Sequence, residues 1–103
     1  MSRAVPDGWL KVGRREYESR TVDVEVEVLP TPEQDGNFEV RVFEDDDSTV
    51  VENVQSNEKD ALELAKAVIT TFNEEFQAAL DEGVDDDDAV SRAVERAAAK
   101  HRA

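Results

Sequence analysis

Imidazole acid–base chemistry in this chain would have to pass through one side chain, because His101 is the only histidine among 103 residues. A general base needs a second group to orient it and a cleft to hold its substrate. His101 stands instead in the run VERAAAKHRA, rich in helix formers, where Lys100, His101 and Arg102 complement the dipole at a helix C-terminus. There is no cysteine, which removes thiol nucleophiles, disulfides and thiolate metal sites together. Ser2, Ser19, Ser48, Ser56 and Ser91 lie outside any nucleophile-elbow pattern, and Gly8, Gly13, Gly36 and Gly83 stand singly, so no glycine loop can cradle a phosphate. Asp45, Asp47 and Thr49 have the alternate spacing of a calcium loop, yet Val50 and Ser56 occupy the positions that would need Gly and Glu. Asp85 to Asp88 reads as the acidic first turn of a helix, which needs no metal to explain it. The expectation is therefore a protein that is not an enzyme, with no catalytic, cofactor-binding or metal residues and no cofactor.

The basic residues are less evenly placed. Arg3, Lys11, Arg14, Arg15 and Arg20 precede residue 21, and Arg92, Arg96, Lys100 and Arg102 follow residue 91. Lys11, Arg14 and Arg15 are interleaved with Trp9 and Tyr17, the combination of cation and ring that could hold a single-stranded nucleic acid through phosphates and stacked bases. The competing and preferred reading is ordinary ion pairing, with Arg92, Arg96 and Lys100 against the acidic back of a long helix and Arg14 and Arg15 against Glu25 or Glu27 across a sheet.

The formal net charge is −14, with 26 Asp and Glu against 12 Lys and Arg. The acids are spread over the elements rather than gathered in a tail, which resembles the surface style of salt-loving archaea. At low ionic strength such a body repels itself, whereas molar salt shortens the Debye length to about 3 Å and removes most of that cost. At this length one core is expected, hence a single domain over 1–103. No apolar run is long enough for a signal peptide or a membrane span, so the expectation is a cytoplasmic protein with no membrane partner.

The elements that would carry these residues can be read from periodicity. Residues 1–7 read as a flexible arm and residues 8–54 as an antiparallel sheet of four strands: GWLKVGRREY, then TVDVEVEV with Val22, Val24, Val26 and Val28 alternating against acids, then NFEVRVFEDD, then TVVENV. An Asp35-Gly36 turn signal and a hairpin tip at Asp45 to Ser48 separate the later strands. Residues 57–82 form the main helix, capped by Asn57 and ended by Gly83, with Ala61, Leu62, Ala65, Val68, Ile69, Phe72, Phe76, Ala79 and Leu80 on one face. Residues 85–102 form a second, shorter helix, whose Val90, Ala93, Val94 and Ala97 offer so little area that it should pack lightly or fray. The fold class is thus α+β, a four-stranded antiparallel meander with a long amphipathic helix on one face and a second C-terminal helix.

A helix of about 26 residues spans about 39 Å, whereas strands of seven or eight residues cover about 26 Å. Phe72, Phe76 and Leu80 thus become candidates for core and dimer contact, because the overhanging end needs a second surface and a homodimer would supply it. Four antiparallel strands followed by a dimerising helix also resembles the element order of the single-strand-binding transcriptional coactivators. The resemblance is one of layout, and the outward positions Asp23, Glu25, Glu27 and Glu39 carry carboxylates where a nucleic-acid groove would carry cations. The function expected from sequence is a small, non-catalytic, halophile-type acidic interaction module, homodimeric and with a possible protein partner. The alternative is a nucleic-acid-binding module using Trp9, Lys11, Arg14, Arg15 and Tyr17.

Overall fold

The computed structural model describes residues 5–33 and 36–103; the first four residues of the expected arm and Asp35 of the expected turn lie outside them. The elements run β1 (Trp9–Gly13), β2 (Glu16–Ser19), β3 (Val24–Pro30), β4 (Phe38–Glu44), β5 (Asp47–Gln55), α1 (Glu58–Asp81) and α2 (Asp86–Lys100). The fold is α+β with an antiparallel sheet and two helices, as the periodicity predicts. The sheet, however, has five strands in the order β1-β2-β3-β4-β5, not four. The stretch expected to be one strand, Gly8 to Tyr17, reverses at Gly13: Lys11 pairs with Tyr17 and Gly13 with Glu16, leaving Arg14 and Arg15 as the turn. Alternation survives the reversal, since the register keeps Lys11 and Tyr17 on one face, and so a tight hairpin imitates a single loose strand.

One face of the sheet makes the core. Val24, Val26 and Val28 of β3, Val40 and Val42 of β4, and Val51 of β5 are buried, matching the strict alternation of valine with acid in β3. Between β4 and β5 the pairing of Glu44 with Asp47 leaves a two-residue loop. Asp45 turns it with φ of 47°, a left-handed conformation that aspartate tolerates better than most side chains.

α1 is specified at both ends. The Asn57 side chain accepts from the Asp60 N–H at 2.8 Å. At the other end Gly83 has φ of 86°, while the Val84 N–H donates to the Ala79 carbonyl at 3.0 Å and the Gly83 N–H to Leu80 at 2.9 Å, the paired bonds of a Schellman stop. Phe72 sits at the middle of the core, edge-on to Trp9 with centroids 5.8 Å apart and stacked on Phe76 at 5.7 Å.

The second helix departs from the lightly packed satellite expected of it. Ala89, Ala93, Val94, Ala97 and Ala98 are buried. Small side chains bring two helix backbones close, so modest apolar area per residue still yields a dense contact. α2 runs antiparallel along the second half of α1, as pairs of Arg92 with Glu82 and Arg96 with Glu75 show. Its end is tied down: Thr71 Oγ1 lies 2.7 Å from His101 Nε2, Asn53 Nδ2 donates to the His101 carbonyl at 2.8 Å, and the Ala103 N–H donates to the Glu52 carbonyl at 2.9 Å. The overhang of α1 is therefore covered from within the chain. Ala79 is buried and Phe76 and Leu80 are half-buried, so this end lacks the open patch on which the expected dimer contact was argued.

Candidate interaction site on the first hairpin

The hairpin of β1 and β2 holds every residue that composition singles out for nucleic-acid contact, and it sends them in different directions. Trp9 is 5% exposed and its Nε1–H donates to Asn73 Oδ1 at 2.9 Å. Tyr17 is 2% exposed, and burial raises the pKa of its phenol, with Lys66 pulling the other way and Glu63 adding to the rise. Both rings are core residues and neither offers a free face to a base.

Arg14 and Arg15 sit at the turn and pair with α1, not with Glu25 or Glu27. Arg14 grips Glu58 with two bonds, Nε to Oε2 at 2.8 Å and Nη2 to Oε1 at 2.9 Å, while Arg15 Nη2 reaches Oε1 at 3.3 Å. These bonds hold the Glu58 carboxyl below its usual range, the Arg15 bond first. The Arg15 guanidinium also covers the Phe38 ring at 4.9 Å. Of the pairings expected for Arg92, Arg96 and Lys100 with the long helix, those of Arg92 with Glu82 and of Arg96 with Glu75 are present.

Between this hairpin and the first half of α1 lies a cleft of about 400 Å³. Val5, Tyr17 and Leu62 give it an apolar floor, and Lys11, Arg14, Lys59 and Lys66 line it with cations. Lys11 Nζ stands 5.6 Å from the centre of the Tyr17 ring. The carboxylates in the cleft are engaged, Glu58 with the two arginines and Glu63 with Lys66 at 2.9 Å. Lys59, Leu62 and Lys66 escape a reading by clusters of sequence neighbours. The available signal is their spacing: Lys59 and Lys66 lie seven residues apart, two turns of helix, and so share a flank of α1.

The opposite side of the hairpin is different again. Leu10 and Val12 point away from the core, 47% and 51% exposed. β1 is an edge strand of sequence WLKVG, with no acid in it. Its neighbours carry the acids: Leu10 is opposite Glu18, which is opposite Glu25, and Glu16 is opposite Glu27. There the Glu27 carboxyl is raised by partial burial and by repulsion from Glu16 and Glu25. No group of three or more His, Asp or Glu side chains is arranged to hold a metal ion among the described residues. No helix among them is long and apolar enough to cross a membrane. Comparison with known proteins returns no match: no family model fits the sequence, and no curated protein and no solved structure is significantly similar to it.

Proposed function

We propose that this chain is a small, non-catalytic, halophile-type interaction module that works as a homodimer, the two copies joined edge to edge through β1. The observation that carries the reading is the carboxylate-free edge strand with Leu10 and Val12 exposed. An unprotected edge presents unpaired backbone groups to another strand, and sheets ordinarily guard it with charge. On the outer face the two strands beside that edge carry carboxylates, Glu16 and Glu18 in β2 and Glu25 and Glu27 in β3, and the edge strand carries none. Antiparallel pairing of β1 with its copy would extend the sheet about a two-fold axis and let leucine and valine cover one another. Molar salt favours this arrangement twice, by strengthening apolar contact and by screening repulsion between two subunits of charge −14. Nucleic-acid binding is the weaker reading, because Trp9 and Tyr17 are buried and only the cations of the hairpin remain for it.

Sedimentation equilibrium in concentrated salt tests the proposal. Wild type should give twice the chain mass, and Leu10→Lys with Val12→Lys should give the chain mass with an unchanged far-ultraviolet circular dichroism spectrum. A monomeric wild type at high micromolar concentration rejects the dimer. A dimer that survives the double substitution and yields to Leu80→Glu would place the contact on α1 instead.

A further inference from the structure

We propose that the cleft between the first hairpin and α1 is a binding site for a small organic anion, a carboxylate or a phosphate ester carrying an apolar body. Its volume of about 400 Å³ falls in the ordinary range for small-ligand sites, roughly 300 to 1,000 Å³, and an apolar floor with a few convergent charges is their usual make-up. Val5 and Leu62 would take the body of the ligand. Lys11 and Lys59 would take the anionic head.

Charge is the stronger part of the argument. The chain carries 26 acids against 12 bases, so a cleft lined by four cations and two acids runs against the balance of the whole molecule. Among the described residues neither Lys11 nor Lys59 is in an ion pair, and both line this cleft. The carboxylates that share the cleft are already held by Arg14, Arg15 and Lys66, leaving a positive surplus inside a strongly negative molecule. By contrast, the hollow on the outer face of the sheet is lined by Asp23, Glu25, Glu27 and Asp45. An anion diffusing along this surface finds the sign reversed at this cleft. Screening by salt weakens the charged contact, so the apolar floor is needed as well, which is why an organic anion fits and a bare inorganic ion does not. A nucleic-acid strand is disfavoured because the cleft has no open ring face on which a base could stack.

The test is a titration of the full, nitrogen-15-labelled chain with hexanoate and with hexyl phosphate, using hexanol and inorganic phosphate as controls, in about 2 M potassium chloride held constant. At least one of the two organic anions should shift the amides of Lys11, Tyr17, Leu62 and Lys66 saturably, and the comparison between them identifies the preferred head group. The double variant Lys11→Gln, Lys59→Gln should keep the folded spectrum and bind the same probe about tenfold more weakly. Three results overturn the proposal: no saturable shift by either anion up to about 20 mM, hexanol or inorganic phosphate binding as tightly as the organic anion, or unchanged affinity in the double variant. The cleft lies across the hairpin from Leu10 and Val12, so sedimentation of the same variant separates its failure from failure of the dimer.

Discussion

The indole N–H of Trp9 donates to Asn73 Oδ1 at 2.9 Å, joining the edge strand to the middle of α1 across 64 residues of sequence. Asn73 completes the clamp by donating from Nδ2 to the Asp7 carbonyl at 3.0 Å. A single side chain thus satisfies a buried donor of the sheet and a carbonyl of the entering chain. Trp9→Ala should cost about 3 to 5 kcal/mol, since it empties a space edge-on to Phe72 as well as removing the bond. Asn73→Ala should cost about 1 to 3 kcal/mol, because it leaves the indole N–H unpaired. Urea unfolding in molar salt, followed by fluorescence of the one tryptophan for the second variant and by circular dichroism for both, reads the two losses. Equal, small losses would mean that β1 is not anchored to α1.

A pH effect follows from the other long-range tie, between Thr71 and His101 at 2.7 Å. Burial lowers the His101 pKa from its usual 6.5, Lys100 lowers it further, and a bond to the Ala67 backbone opposes them. The unfolded chain therefore binds this proton more readily than the folded one. The ring's contribution to stability is fully present above pH 6.5 and is lost as the pH falls below that value toward the folded pKa. Wild type should lose stability relative to His101→Asn between about pH 7.5 and pH 5.5, in a window above the bulk of carboxylate titration. A difference in urea midpoint that stays constant over this window would show that the imidazole is not held neutral.

The acid surface makes its own prediction at the β4–β5 tip. A hydrogen bond that the protonated Asp45 donates to Asp23, followed by the Asp23 charge, raises the Asp45 carboxyl, and Asp46 and Asp87 add to the effect. An acid whose folded pKa is raised works against the fold at neutral pH, where it must give up its proton among like charges. Asp45→Asn keeps a residue that accepts the left-handed turn and removes one of those charges. Its melting temperature should exceed that of wild type at low salt, with the gap narrowing in molar salt, while wild type itself melts higher as salt rises. A wild-type melting temperature that is flat or falling with salt would refute the halophilic reading of the surface.

What could be read from sequence was what local periodicity determines. β3 and α1 repeat their apolar residues without interruption, so Val24, Val26, Val28, Val68, Ile69 and Phe72 are all found in the core where the period puts them. The first hairpin was illegible because a reversal at Gly13 leaves the two-residue alternation intact. Trp9 and Tyr17 then looked like exposed rings, when the same alternation serves equally well to bury them. The cleft was illegible for a different reason: Lys11 and Lys66 are brought together only by the docking of α1 on the hairpin, and no pattern within either segment encodes that approach.

Apolar area is a poor measure of how α2 packs, because its contact is made by alanines and one valine. Ala93 is fully buried and Ala99 is exposed on the same helix, so one substitution made at both positions separates close packing from a loose association. Leucine is nearly as good a helix former as alanine, which leaves propensity out of the comparison. Ala93→Leu should cost about 1 to 3 kcal/mol by forcing the two helices apart, and Ala99→Leu should stay within about 0.5 kcal/mol of wild type. The stronger variant should also loosen the Thr71–His101 contact farther along the helix, and so lose part of the pH dependence that His101 confers. If α2 rested lightly on the surface, the added leucine would instead find apolar area to cover, and Ala93→Leu would be neutral or stabilising.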